Sequence, residues 1–347
     1  MKKITYGIVG AGWRAEFYLR IAAALPDRFA VSGVHVRNDD RAAALTAGGY
    51  GSLVCRTREA LLARPADFLV CCVNAAGMLS AAAELAATGM PVLCETPAGV
   101  SSERLEREAA ILPPGARVAF AEQFLRQPYF AAIRRILALG LLGDVHYLRL
   151  SAAHDYHGVS LARGLLGTGA AMPHTIRSFA LTDPVRQTRG RAGDVEGRAV
   201  NACQTVAVLA FDGGKTALLD FSREQYFSPV RTGEVLLRGT RGEVHGDTLR
   251  YLAGDRALTL PLCRTEYGRG TNLDGFALDT ITAGEHLLYR NPFPGARLSD
   301  EELAIADTLS RMGAYAAGTG EAPYTTEEAR LDCRIACAAA ENALPLS

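Results

Sequence analysis

The sequence carries no excess of charge of either sign: 37 lysines and arginines balance 37 aspartates and glutamates, a formal net charge of +0. With no overall field to draw in polyanions, and no local basic patch, the chain is expected to bind neither nucleic acid nor an anionic membrane. Long apolar runs are missing too. The longest uncharged stretch, Phe68 to Ala83, carries Asn74, Gly77 and Ser80, and it falls short of the ~20 apolar residues of a membrane span. At the start, Lys2 and Lys3 precede an apolar run, yet glycines and then Arg14 and Glu16 interrupt it too early for a signal peptide. The expectation is a soluble, cytoplasmic protein. The eight cysteines form no zinc-like pair of pairs, so they read as buried, reduced thiols rather than metal ligands or disulfides. No G-x-S-x-G turn occurs, which removes a serine-hydrolase reading. Internal repeats and low-complexity segments are absent.

What remains is a chain of 347 residues, 49% hydrophobic and 21% charged, enough for a large core and for two domains. The first third alternates short apolar runs with helical stretches. Strands are expected at Ile4–Val9, Ala30–Val36, Phe68–Val73, Val92–Cys94 and Val118–Phe120, with helices at Arg14–Ala24, Asp40–Ala47, Ala60–Ala63, Leu79–Thr88 and Ser102–Ile111 between them. Uninterrupted apolar strands separated by helices are what a parallel sheet covered on both faces requires. After about Gln123 the texture changes. Val145–Ala153, Thr205–Phe211, Thr216–Phe221, Glu234–Arg238 and Leu249–Leu252 read as strands joined by Gly-rich turns, the pattern of an antiparallel sheet. Ser299-Asp300-Glu301-Glu302 and Thr325-Thr326-Glu327-Glu328 look like capping boxes opening C-terminal helices. The expected fold is α/β: a Rossmann nucleotide-binding domain over 1–122, followed by an α+β domain over 123–347 with an open, largely antiparallel sheet.

The turn after the first strand, Gly10-Ala11-Gly12-Trp13-Arg14-Ala15, is a G-x-G-x-x-A variant. Gly10 permits the tight turn, Gly12 lets backbone amides approach a pyrophosphate, and Ala15 keeps the helix close to the sheet. The helix start adds partial positive charge toward phosphate. The second strand leads not into a carboxylate but into Val36-Arg37-Asn38. A guanidinium there suits a 2′-phosphate, so NADP(H) is favoured, with NAD(H) as the alternative.

The opening turn, the strand ending near Val73-Asn74, Val92-Leu93-Cys94-Glu95-Thr96-Pro97 and Gly167-Thr168-Gly169-Ala170 together resemble the Gfo/Idh/MocA oxidoreductases. The likeness covers nearly the whole chain and is strongest in 1–130. It implies a dimer or tetramer formed through the open sheet, an active site between the domains, and nicotinamide near Glu95-Thr96-Pro97, with Gln123 as an amide contact. Such enzymes act on carbinol carbons of sugars, inositols and related polyols. The chain also departs from the family. The family's Glu-Lys-Pro lysine is replaced by Thr96, whose hydroxyl has no pKa near 7 with which to carry a proton. Cys72-Val73 stands where the family has Thr-Pro. Its Asp-x-x-x-His pair, on a helix after the glycines, falls on Pro173 and Arg177.

Candidates to replace that machinery lie in His154-Asp155-Tyr156-His157, directly after a strand, where four of the seven histidines fall between 146 and 174. Imidazoles titrate near neutrality, so His154, Tyr156, His157 and, near the missing pair, His174 are the expected catalytic set. Arg126, Arg163 and Arg177 are the expected substrate anchors. The spacing of His154 and His157 would accept a metal, but no third ligand beyond Asp155 offers itself, so no metal is expected. The leading reading is an NAD(P)-dependent oxidoreductase of a sugar, polyol or small carbonyl compound. Two others stand beside it: a lyase or glycosidase that oxidises transiently with no net redox, and a non-catalytic dinucleotide-binding paralogue.

Overall fold

The computed structural model describes residues 2–107, 111–190, 193–268 and 276–345. The chain divides into two compact units: Met1–Pro128 with Thr265–Asp279 and Asn291–Arg330, and Tyr129–Arg264 with Thr280–Arg290 and Leu331–Ser347. The first unit therefore extends past residue 122 and recruits segments from late in the sequence.

In the first unit the elements alternate: β1 (Ile4–Val9), α1 (Trp13–Ala24), β2 (Phe29–His35), α2 (Asp39–Leu45), β3 (Val54–Cys55), α3 (Arg58–Leu62), β4 (Phe68–Cys71), α4 (Met78–Ala86), β5 (Val92–Cys94), α5 (Ser102–Arg107) and β6 (Val118–Phe120). The end of the helix expected over Ser102–Ile111 runs into residues outside the described ones. The six strands pair in parallel in the order β3-β2-β1-β4-β5-β6. All of Phe68–Cys71 and Val92–Cys94 is buried, because helices cover both faces and leave no polar side for alternation. Burying each such side chain contributes roughly 1.5–3 kcal/mol. Sequential order reverses between β1 and β4, and at such a switch point the loops diverge and leave a crevice beyond the carboxyl ends of the strands.

The second unit continues with α6 (Pro128–Ala138), β7 (Val145–Ser151), α7 (Asp155–Leu166), β8 (Thr175–Gly190), β9 (Gly193–Phe211), β10 (Lys215–Ser222), β11 (Glu234–Gly239), β12 (Gly242–His245), β13 (Thr248–Ala253) and β14 (Arg256–Pro261). Later in the chain come β15 (Cys263–Tyr267), β16 (Ala277–Ala283), β17 (His286–Arg290), α8 (Asp300–Ala316), which belongs to the first unit, α9 (Thr326–Glu341) and β18 (Leu344–Pro345). Nine strands form one open sheet, β14-β13-β12-β11-β7-β10-β9-β8-β18. It is antiparallel except for β7 beside β10 and β8 beside β18, as expected for an α+β domain. Both C-terminal capping boxes form: Ser299 with Glu302 at α8, and Thr325 with Glu328 at α9.

One expectation fails. The segment after the glycines does not become a helix; Thr175–Gly190 is β8, paired with β9 along nearly its whole length. The helix of this region lies earlier, as α7, and Gly167 ends it in the left-handed conformation at φ 63°, which costs glycine little. Among the described residues no helix is long and apolar enough to cross a membrane.

Candidate functional site

The first unit holds a cleft of about 820 Å³ where β1 gives way to α1. Its shape comes from two glycines acting differently. Gly10 has φ +103°, and a Cβ there would lie 2.7 Å from the carbonyl oxygen of Cys72, so only glycine allows the chain to turn this close to β4. Gly12 is the N-cap of α1 and supplies no capping side chain; a Cβ on it would meet nothing within 4 Å. The start of α1 thus borders open space, the arrangement in which a helix N-terminus accepts a phosphate anion, with the Ala15 amide already bonded to the Gly12 carbonyl. Ala15 is buried and closes the helix onto the sheet. A dinucleotide pyrophosphate fits this bend by steric and electrostatic criteria alike.

Asn38 and Arg37 line the far end of the cleft together with Arg41 and Arg58, and Val73 and Asn74 line the β4 side. Asn38 caps α2 by accepting from the Arg41 amide at 2.8 Å, and Asn74 likewise accepts from Gly77 at 2.9 Å. Arg56 donates to the Arg37 carbonyl at 2.9 Å and pairs with Asp39. Burial lowers the pKa of His35 below its ordinary 6.5, and the nearby Arg58 and Arg37 cations lower it further. Only the smaller, arginine part of that shift reflects positive charge nearby, and Glu59 opposes it. Sequence reasoning missed both Arg41 and Arg58: the Asn38 cap of α2 sets Arg41 at the cleft, and the pairing of β3 on β2 brings Arg58 there.

At the β5 end lies a buried polar network. The Tyr18 hydroxyl donates to Glu95 at 2.5 Å, and Arg14 Nε lies 3.2 Å from the same carboxylate. Arg14 Nη1 reaches Glu301 on α8 at 2.6 Å, and Gln123 Nε2 donates to that carboxylate at 3.3 Å. Burial works against the Arg14 cation, but Glu95, Tyr18 and Glu301 outweigh it and raise its pKa. Burial and the neighbouring Glu95 push the Tyr18 phenol well up. Three buried atoms of this network have no hydrogen-bond partner: Arg14 Nη2, Gln123 Oε1 and Arg14 Nε, whose contact with Glu95 is an ion pair only. Such groups are costly unless a ligand completes them. Trp13 is partly exposed, with the Arg14 guanidinium 5.3 Å from its ring. Thr96 follows Glu95, and its peptide bond to Pro97 is cis. Glu122, which reads from sequence as an exposed helix-start residue, is instead buried and accepts from the Phe124 amide at 3.1 Å. Arg126 is held by Asp307 at 3.4 Å and by the Pro323 carbonyl.

In the second unit the structure brings His154, Tyr156 and His157 together at the start of α7. His154 caps the helix without a side-chain bond, and its ring centroid lies 5.4 Å from that of Tyr156 and 5.1 Å from that of His157. Tyr156 and His157 are 4.3 Å apart, with His157 buried. Asp155 is the one non-glycine residue with positive φ, 44°, among those described; strain of this kind concentrates at functional sites. Its carboxylate pairs with Arg223. His154, Asp155 and Arg223 wall a pocket of about 220 Å³ with Thr182, Cys203 and Gln204. Tyr226 joins the cluster from the turn after β10, a residue that no local pattern marks.

The remaining expected residues lie elsewhere. Leu181 lines the His154 pocket, whereas Thr175 pairs with Ala210 at the other end of β8. At ~3.3 Å per residue this separates His174 from the cluster by about 20 Å along the strand. Its Nδ1 lies 3.0 Å from the Thr175 hydroxyl. Arg177 is exposed, and its neighbour Ser178 is buried against the Ala339 carbonyl of α9, so alternation turns Arg177 to the opposite sheet face. Arg163 is buried; it pairs with Asp332 and donates to the Gly169 carbonyl at 2.6 and 3.1 Å. It fastens α7 to the glycine turn and to α9.

No family model and no curated protein matches the sequence. Solved structures do match in fold. A putative myo-inositol dehydrogenase from Sinorhizobium meliloti is 20% identical with a TM-score of 0.67, over 98% of this chain and 97% of that one. Levoglucosan dehydrogenase in complex with NADH and levoglucosan is 16% identical with a TM-score of 0.68, over 99% and 97%. A biliverdin reductase from Synechocystis sp. PCC 6803, bound to biliverdin and NADP+, is 16% identical with a TM-score of 0.63, over 98% and 99%. The chain shares with these proteins the α/β architecture of a parallel six-stranded Rossmann-like sheet and a separate mixed sheet.

Proposed function

We propose that this protein is a nicotinamide-dependent oxidoreductase of the Gfo/Idh/MocA type acting on a sugar, polyol or related small carbonyl compound. The observation that carries the reading is the bend after β1, where Gly10 leaves no room for a side chain and Gly12 opens onto the uncapped start of α1. The fold-level likeness to dehydrogenases of inositol and levoglucosan supports it. The dinucleotide would supply the hydride acceptor or donor. Gly10 and Gly12 would hold its pyrophosphate, and Val73, Asn74, Glu95, Thr96 and Gln123 would hold the nicotinamide half. Arg37 and Arg41 favour a 2′-phosphate, hence NADP(H) over NAD(H), since they line the cleft end where a 2′-OH reader would place a carboxylate.

The proton that accompanies a hydride needs a group titrating near neutrality, and Thr96 has none. His154 is our choice for that role: it is half-buried, lines a pocket and is held by a phenol. Tyr156 and His157 pack beside it, with ring centroids 5.4 and 5.1 Å away. A soluble homo-oligomer is part of the same proposal.

The test is a fluorescence titration with NADPH and NADH, then a panel of sugars and polyols followed at 340 nm, with mass spectrometry for co-purified ligand. Binding of NADPH with stoichiometric cofactor turnover is the expected result. Turnover of substrate without net change in cofactor would move the reading to a transiently oxidising lyase. Failure to bind either dinucleotide would overturn it.

A further inference from the structure

We propose that Tyr226 is a positioning residue that holds His154 in the tautomer with its proton on Nδ1, leaving proton exchange with a ligand to Nε2. This rests on the reading of His154 as proton carrier. Two contacts join the residues, although 72 positions separate them: the Tyr226 hydroxyl oxygen accepts from the His154 backbone amide at 3.2 Å and lies 2.9 Å from His154 Nδ1. One oxygen therefore grips both the main chain and the ring of a single residue. Tyr226 is itself set by packing on Phe221, ring centroids 4.7 Å apart, and it closes the turn Arg223–Tyr226, which Ser222 and Gln225 cap reciprocally. The phenol is thus pre-placed and does not depend on His154 for its orientation.

The chemistry follows from the donor inventory. A phenol oxygen accepts through two lone pairs; in the proposed tautomer His154 supplies a donor to each, the amide N–H and Nδ1–H, whereas in the other tautomer the phenol would donate to Nδ1. With Nδ1 protonated, the bond to Tyr226 is the same whether Nε2 carries a proton or not. The ring then keeps one orientation through a cycle of protonation, as a group delivering or removing a proton at a fixed atom must. The opposite tautomer would need the hydroxyl to rotate at each step. An unrestrained histidine prefers the proton on Nε2, so the proposal predicts a departure from default behaviour that depends on Tyr226.

The test is nitrogen NMR on the whole protein labelled at its histidines, with the His154 signals assigned through His154→Gln. Neutral His154 is expected as the Nδ1–H tautomer in the wild type and as mainly Nε2–H in Tyr226→Phe. A wild type already in the Nε2–H form, or a Tyr226→Phe spectrum identical to wild type, would overturn the proposal. Should Tyr226→Phe not fold, the wild-type tautomer decides by itself. Kinetics add a second readout: Tyr226→Phe lowers kcat by about tenfold or more with KM within about twofold, and the loss disappears in the His154→Gln background. A Tyr226→Phe effect that persists undiminished in that background also refutes the proposal. If His154→Gln keeps full turnover while the tautomer result holds, the proton-carrier reading has failed and the positioning has not.

Discussion

The two glycines of the first bend allow binding and folding to be perturbed separately. Gly12→Ala introduces a Cβ at φ −80°, ordinary backbone, with nothing within 4 Å of it. Alanine is a poorer N-cap than glycine but narrows the unfolded ensemble; these are opposing effects of under ~1 kcal/mol each, so Tm should move by only a few degrees. The methyl group nevertheless occupies the space through which α1 amides would reach a phosphate. Losing one amide hydrogen bond to a charged group costs about 1.5–3 kcal/mol, which is about 10- to 150-fold in dissociation constant. Gly10→Ala is the contrasting case. Positive φ costs a side chain ~1–3 kcal/mol, and its Cβ would sit 2.7 Å from a backbone oxygen of Cys72 that has no rotamer to give way. Gly10→Ala should therefore lower Tm as well as affinity. Thermal unfolding and NADPH fluorescence titration on both variants provide the comparison. A Gly12→Ala protein that binds NADPH as tightly as wild type would refute the phosphate reading of the bend.

Arg37→Glu should weaken NADPH binding at least tenfold and NADH binding less than about threefold, from the loss of a charge-assisted bond worth ~1.5–3 kcal/mol; equal losses for both would remove the 2′-phosphate assignment. Arg163→Met leaves the buried Asp332 carboxylate without its cation, an effect of roughly 3–5 kcal/mol; calorimetry should show a large fall in Tm that Asp332→Asn in the same chain partly restores. The depressed pKa of His35, caused first by burial and then by Arg58 and Arg37, means that the unfolded chain takes up this proton first as pH falls. Stability is therefore unaffected above the ordinary value of 6.5 and declines as pH drops below it toward the folded pKa. Denaturant unfolding of His35→Gln between pH 7 and 5 should show a shallower decline than wild type, and equal slopes would contradict this.

Local patterns made much of the first unit legible. A strand running into Gly-x-Gly, the unbroken apolar runs of β4 and β5, and the Ser299 and Thr325 capping boxes are short-range signals, because the forces behind them act within a few residues. The same locality explains the failures. After Gly167, nothing nearby marks Thr175–Gly190 as a strand; its partner β9 supplies the hydrogen bonds. The Arg163 guanidinium looks like a ligand anchor in sequence because its counter-ion, Asp332, is 169 residues distant.

By itself, then, the sequence determined that a glycine-rich bend joins the first strand to the first helix and that histidines crowd the end of β7, since backbone sterics and residue chemistry need no partner. Tertiary structure alone decided which of those histidines meet, that Tyr226 joins His154, and that Arg14 and Gln123 converge on Glu301. These are contacts between residues far apart in the chain, and packing of the sheets, which closes the loops between them, is what selects them.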